Sequence, residues 1–160
     1  MSGQTLRRQL KLPNLDASVQ DAEMLLAKGY EKAGNWDLAQ CCQHLAEWMR
    51  YPVEGFPKAP LPVRGMLWMA RKTVGPKKLQ AYIKDGSFPP GKPTDPRTVL
   101  AAGGDPKVAI ENLKRSVERL KAHTGAIIPS PFFGPMSKDE CVGLQVIHCA
   151  HHLSFLVPKS

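Results

Sequence analysis

The chain has 160 residues, of which 42% are hydrophobic and 22% are charged, a composition typical of one globular domain. Lysine and arginine outnumber aspartate and glutamate by eight (22 against 14), but the basic and aromatic residues are scattered, which argues against a nucleic-acid partner. The longest apolar stretch, 66–70, is too short to cross a bilayer, and no apolar signal segment follows the N-terminal basic residues. We therefore expect one cytoplasmic domain over residues 1–160, without a membrane partner.

The N-terminal part of the chain predicts an arm followed by a first helix. We expect residues 1–15 to form a loosely ordered arm. Apolar side chains then recur every three or four residues over 18–33, which indicates one buried helical stripe. Ser18 is the expected N-cap of this helix, and Gly34 is the expected left-handed stop after it.

A second helix is predicted to begin at 35–37 and to end near Tyr51, before Pro52. Asp37 followed by Gln40 fits a capping box, which is typical of a helix start. His44 lies within the apolar arc of this helix. An imidazole at that position is expected to face the core.

The segment from 52 to 104 predicts a long irregular crossover. It contains nine prolines, which exclude long regular elements and leave room only for short helices near 63–74 and 77–84. Connections of this length inside a domain are often functional or act as lids. We interpret the crossover as the link between the second and third helices.

The remaining sequence predicts two further helices. The third starts at the Asp-Pro pair 105–106 and ends at Gly125, and its apolar face repeats at helical spacing. The fourth follows the capping box 137–140 and runs to about Val157. Because no strand-like alternation is present, we predict an all-α fold: a four-helix bundle with a long irregular crossover that carries short extra helices.

Three histidines are the candidate metal ligands. His148 and His152 are four residues apart, so on a helix they lie about 40° apart in azimuth and one turn apart in height. His44 faces the same core from the second helix, and three imidazoles suit one divalent ion with an open fourth position. Two ordinary core or surface histidines remain the alternative for the pair, and His151 is the reserve ligand if the helix is rotated.

The polar neighbours of these histidines suggest supporting roles. Gln40 and Glu47 flank His44 at one turn, and Gln145 precedes His148 by about one turn, so each could orient a ligand. Glu47 could also accept a proton from metal-bound water, although a solvated helix-face glutamate is the commoner case. We assign no catalytic residue. His123 ends the third helix and is expected to lie outside the site.

Four short motifs carry a family resemblance. They are Asn35-Trp-Asp-Leu-Ala-Gln and Gln43-His-Leu-Ala in the second helix, and Pro131-Phe-Phe-Gly-Pro-Met-Ser with His148-Cys-Ala-His-His152 near the C-terminus. These motifs resemble the DinB-like (DinB/YfiT) superfamily of metal-binding four-helix bundles, and within it a branch described only as a domain of unknown function. The resemblance extends over about residues 16–158.

The resemblance implies a ligand set and a range of functions. In that superfamily one histidine of the second helix and an H-x-x-x-H pair of the fourth bind the metal, which matches His44, His148 and His152. The implied cofactor is a divalent ion, zinc or nickel first, with iron or manganese as alternatives. Characterised relatives include transferases and isomerases that use low-molecular-weight thiols such as bacillithiol or mycothiol, and some relatives form homodimers.

We accordingly expect a metal-dependent thiol S-transferase that acts on a small molecule. The positive net charge would help to hold a carboxylate-bearing thiol. Two other functions stay open at this point. A metal-dependent hydrolase would use the same open site, and a non-enzymatic bundle would bind a ligand or hold a structural metal.

Overall fold

The structure is a computed structural model that describes residues 6–89, 91 and 98–160. These residues contain six α-helices and one small antiparallel sheet, joined by loops. The helices are α1 (Leu15–Lys28), α2 (Leu38–Glu54), α3 (Leu61–Lys72), α4 (Val74–Asp85), α5 (Pro106–Ala122) and α6 (Lys138–Leu153). The strands are β1 (Tyr30–Lys32) and β2 (Leu156–Pro158). The chain is therefore mostly helical, in agreement with the predicted all-α class. The prolines at 90, 93 and 96 of the predicted crossover lie outside the described residues.

The first helix begins and ends earlier than predicted. Asn14, and not Ser18, is its N-cap, and the Asn14 side chain accepts a hydrogen bond from the backbone N–H of Ala17. Ser18 is buried inside α1, where its hydroxyl donates to the carbonyl of Leu15. The helix ends before Gly29, whose φ of +75° leads the chain out of the helical path.

The expectation of a chain without strands was wrong at two places. β1 pairs antiparallel with β2, so Tyr30 lies opposite Pro158 and Lys32 opposite Leu156. The predicted first helix was therefore too long at its C-terminal end, and the predicted fourth helix extended past its observed end at Leu153. Each strand has three residues, which is too short for an alternating pattern to be recognised.

The second helix continues through the proline that was predicted to stop it. α2 extends to Glu54 with Pro52 in its last turn. A proline has no N–H for the carbonyl four residues earlier, which here belongs to Trp48. The side-chain amide of Gln145 donates to that carbonyl instead, at 3.2 Å. A residue of α6 thus satisfies the acceptor that the proline leaves free.

The main core lies where α1, α2, α5 and α6 pack against one another. Its fully buried leucines come from all four helices and from β2: Leu25, Leu38, Leu45, Leu113, Leu120, Leu153 and Leu156. The capping boxes predicted at Asp37–Gln40 and at Ser137–Glu140 are both present. The core positions α2 and α6, the two helices that carry the candidate ligands.

Helices α3 and α4, which correspond to the two short helices predicted in the crossover, lie outside that core. α3 contains no buried residue, whereas α4 packs against α6 and buries Gly75 and Leu79. The N-terminal arm packs against α1 and the end of α6: Leu10 and Leu12 contact the core, and Arg8 forms an ion pair with Asp21 and donates to the carbonyl of Leu153. Within the described part of the chain, no helix has the length and apolarity needed to cross a lipid bilayer.

Candidate metal centre

Three imidazole rings from two helices converge on one point. The Nε2 atom of His148 on α6 lies 3.2 Å from Nε2 of His44 on α2 and 3.0 Å from Nε2 of His152. Within the described residues these three side chains can each present one ring nitrogen to a common ion, with all three atoms within 4.8 Å of one another. The helical spacing of four residues brings His148 and His152 together, and the packing of α2 on α6 adds His44.

The nitrogen separations suit a metal ion better than they suit hydrogen bonds alone. Two nitrogens bound at ~2.0 to 2.1 Å to a tetrahedral ion lie about 3.3 Å apart. Nε2 of His148 faces two other ring nitrogens at close range, yet a single ring nitrogen has either one proton or one lone pair. It can therefore make only one good hydrogen bond to this pair, whereas a shared cation satisfies all three lone pairs.

A threonine fixes the orientation of the His44 ring. The Oγ1 atom of Thr98 lies 2.8 Å from Nδ1 of His44, and both side chains are buried. When Nδ1 carries the proton and donates it to the hydroxyl oxygen, the lone pair of Nε2 faces His148. Partners of this kind fix the tautomer of metal-binding histidines. Thr98 could not be identified from the sequence, because it lies in the proline-rich crossover and in no recognisable motif.

Replacing Thr98 by valine should weaken metal binding by about 10- to 100-fold, as is usual when the hydrogen-bond partner of a ligand is lost. Valine keeps the shape of the side chain but removes the hydroxyl that orients His44. Titration of metal-free protein with Zn²⁺ in the presence of a competing chelator measures the change. Thr98→Ser keeps the hydroxyl and is the matched control. Equal affinities for the valine and serine variants would contradict this role for Thr98.

Aromatic side chains surround the cluster. The indole of Trp36 stacks parallel on the His152 ring, with ring centroids 4.9 Å apart and planes inclined by only 4°. Trp36 also meets the edge of His44, and Trp48 packs against both His44 and His148. These contacts hold the imidazoles in place from the side of α2.

Burial keeps the imidazoles of α6 neutral. Desolvation, followed by the neighbouring histidines, lowers the pKa of His148 well below its ordinary value of 6.5. Desolvation, followed by electrostatic repulsion between protonated forms of His152 and His44, lowers the pKa of His152 to about 2. Neutral imidazole is the form that binds metal ions. Protons therefore compete only weakly with a metal ion for the ring nitrogens of His148 and His152.

Two other histidines are not among the three converging imidazoles, although the ring of His151 touches that of His152 with centroids 5.0 Å apart. Nδ1 of His151 is 3.2 Å from the guanidinium of Arg7, and burial together with that positive charge lowers the pKa of His151 to about 4. The structure therefore brings His152, and not the reserve ligand His151, together with His44 and His148. His123 is the C-cap of α5, where its ring lies 3.2 Å from the carbonyl of Ala126.

The polar residues predicted to support the ligands have other partners. Glu47 accepts hydrogen bonds from Arg50 and Gln43. Gln40 takes part in the capping box with Asp37 and also donates to the carbonyl of Leu100. These hydrogen bonds of Glu47 and Gln40 lead away from the rings, whereas Thr98 contacts His44.

The cysteines near the site are buried thiols that do not favour the metal-binding thiolate form. The thiol of Cys41 approaches the carbonyl of His152 at 3.9 Å, and burial raises the pKa of Cys41 to about 12. Burial likewise raises the pKa of the Cys141 thiol to about 11. Because the thiolate is the form that binds metals, these buried thiols are better described as packing residues.

An inner cavity of about 280 Å³ opens directly onto the three histidines. Aromatic side chains from several parts of the chain line it: Trp48, Phe56, Tyr82, Phe88, Phe132 and Phe133. The polar groups of its wall, apart from the histidines and Tyr82, include Ser130 and Gln145. The arrangement leaves space for a small molecule next to an ion bound by the imidazoles.

One family matches almost the whole chain. It is described as Protein of unknown function (DUF1569), and its match covers residues 4–159. Neither the curated proteins nor the solved structures contain a significant match.

Proposed function

The chain belongs to this family of proteins of unknown function, and we propose that it binds one divalent metal ion through His44, His148 and His152. The observation that carries the proposal is the convergence of three imidazole nitrogens from α2 and α6, with Nε2 separations of 3.0 and 3.2 Å along the cluster. Three protein ligands leave the fourth position of a tetrahedral ion open, which is the form of a catalytic site.

We also propose that the chain belongs to the DinB-like superfamily, and that α1, α2, α5 and α6 form the four-helix bundle of that fold. The positions of the candidate ligands support this membership. One histidine comes from the second helix of the bundle, and the H-x-x-x-H pair comes from the last helix. Zinc or nickel is the proposed ion, with iron or manganese as alternatives that three imidazoles also suit. The proposed location is the cytoplasm.

The proposed reaction is a nucleophilic substitution: a thiol that has lost its proton forms a carbon–sulfur bond with a small electrophile, and the leaving group of the electrophile departs with the bonding electron pair. A bound divalent ion would lower the pKa of a coordinated thiol, which makes it a nucleophile at neutral pH. The protein would position the thiol at the open coordination site and hold the electrophile against the aromatic walls of the inner cavity. A hydrolase is less well supported, because among the described residues no carboxylate lines this cavity as a base for water.

Metal analysis followed by an activity comparison tests the proposal. Metal-free protein titrated with Zn²⁺, Ni²⁺ and Mn²⁺ should bind one ion per chain, measured by calorimetry and elemental analysis. The loaded protein should then consume a thiol together with an alkylating electrophile faster than it hydrolyses aryl esters. Absence of stoichiometric binding for every ion would contradict the metal site. Ester hydrolysis without thiol consumption would contradict the transferase assignment alone.

A further inference from the structure

The inner cavity adjoins a wider groove. This outer groove, of about 1200 Å³, lies between α3 and the loop 130–133. Its wall shares five residues with the inner cavity: Trp48, Phe56, Ser130, Phe132 and Phe133. The shared residues make the two spaces neighbours across one aromatic boundary. A ligand long enough to cross this boundary would occupy both the space beside the histidines and the groove beside α3.

The two spaces differ in charge. Among the described residues that line the inner cavity there is no lysine, arginine, aspartate or glutamate. The part of a ligand next to the histidines is therefore expected to be uncharged, since an unpaired charge in an aromatic cavity lacks compensation. The inner cavity also exceeds the ~150 Å³ that suffices for benzene, so it accommodates a ring or a short alkyl chain.

The outer groove is basic. Arg64 and Arg71 of α3 are among its lining residues, and within its described wall no acidic side chain accompanies them. The surrounding sequence has the same bias, because residues 55–84 include seven lysines and arginines but no aspartate or glutamate. A cleft whose charged residues have one sign attracts ligands of the opposite sign.

The groove also offers apolar surface beside these charges. Leu61, Val63, Met66, Leu67 and Trp68 of α3 all line it. The residues of α3 that line the groove thus combine apolar side chains with Arg64 and Arg71. Such a wall suits a ligand with an apolar body and one acidic group.

We propose that the inner cavity and the outer groove form one binding site for an amphipathic organic acid. The uncharged part of the ligand lies against Phe88 and the histidines, and its acidic group lies beside Arg64 and Arg71. Any reaction of this acid at the metal rests on the proposed function, whereas its binding does not. It assigns the substrate class of the same site.

A competing orientation would reverse the ligand and place its carboxylate on the metal ion. Carboxylates bind divalent ions, so an acid could bind tightly for that reason alone. The two orientations differ in their dependence on the metal and on the arginines of α3. Three probes of equal length separate them: octanoate, octanol and octylamine.

Calorimetry with these probes, on metal-free and on zinc-loaded protein, tests the proposal. Octanoate should bind both forms, about three- to tenfold more tightly than octanol, and octylamine should bind weakest. Arg64→Ala should weaken octanoate about threefold and leave octanol unchanged, because it removes one exposed charge. Lys114→Ala on α5 removes an exposed charge that does not line the groove and is the matched control.

Each outcome distinguishes the proposals. Phe88→Ala should weaken octanoate and octanol alike, since it removes part of the wall that both contact. If octanoate bound only the zinc-loaded protein and ignored Arg64→Ala, the reversed orientation would hold and the proposal would be overturned. Octylamine binding as tightly as octanoate would overturn it as well. If octanoate bound as expected to a protein that takes up no metal, the proposed function would fail and this inference would stand.

Discussion

Replacing His148 by alanine is expected to abolish stoichiometric metal binding. His148 is the central member of the cluster, because its Nε2 atom lies within 3.2 Å of the ring nitrogens of both His44 and His152. The variant would keep two imidazoles that have lost their common neighbour. The loss of affinity should exceed the ~100-fold upper end seen when only the hydrogen-bond partner of a ligand is removed.

The matched control for this variant is His151→Ala on the same helix. His151 is also half-buried, but its ring contacts Arg7 and lies outside the cluster. Competition titrations with Zn²⁺ should show one ion per chain for the His151 variant and none for the His148 variant. Circular dichroism of both proteins checks that the helix content of the fold is retained. If His148→Ala bound zinc as tightly as His151→Ala, the ligand assignment would be refuted.

Much of this site could be predicted because its signals are local. The distance between His148 and His152 depends only on helix geometry. The capping box at 137–140 marks the start of the helix that carries them. His44 could be added because an amphipathic pattern tells which face of α2 is buried. The sequence alone did not show that the two buried faces meet, and the packing of α2 against α6 supplies that step.

The errors of the prediction arise where a distant residue changes a local rule. Pro52 does not end α2, because Gln145 of α6 satisfies the carbonyl that the proline leaves without a donor. β1 and β2 are too short to show a pattern, and each exists because the other lies beside it. Thr98 contacts His44 across 54 positions of the sequence. Interactions of this kind depend on the tertiary fold and not on any window of sequence.

Replacing Gly75 by alanine is expected to destabilise the protein by about 1–3 kcal/mol, as overpacking of a buried site commonly does. Gly75 is buried near the start of α4, where a Cβ atom would overlap the carbonyl oxygen of Phe132 and would lie 2.9 Å from its carbonyl carbon. The obstacle is backbone, which cannot rotate away as a flexible side chain can. The loop 130–133 would have to move, and with it the walls that Phe132 and Phe133 give to the inner cavity.

Gly65→Ala on α3 separates this effect from the general consequence of adding a methyl group to a helix. A Cβ at Gly65 meets no atom within 4 Å, so alanine there should stabilise the helix by up to about 1 kcal/mol. Urea denaturation of both variants measures the two changes, which should have opposite signs. Zinc affinity should remain unchanged in both, because neither glycine adjoins the histidines. A Gly75→Ala protein as stable as the Gly65→Ala protein would show that α4 and the loop 130–133 do not pack as closely as described.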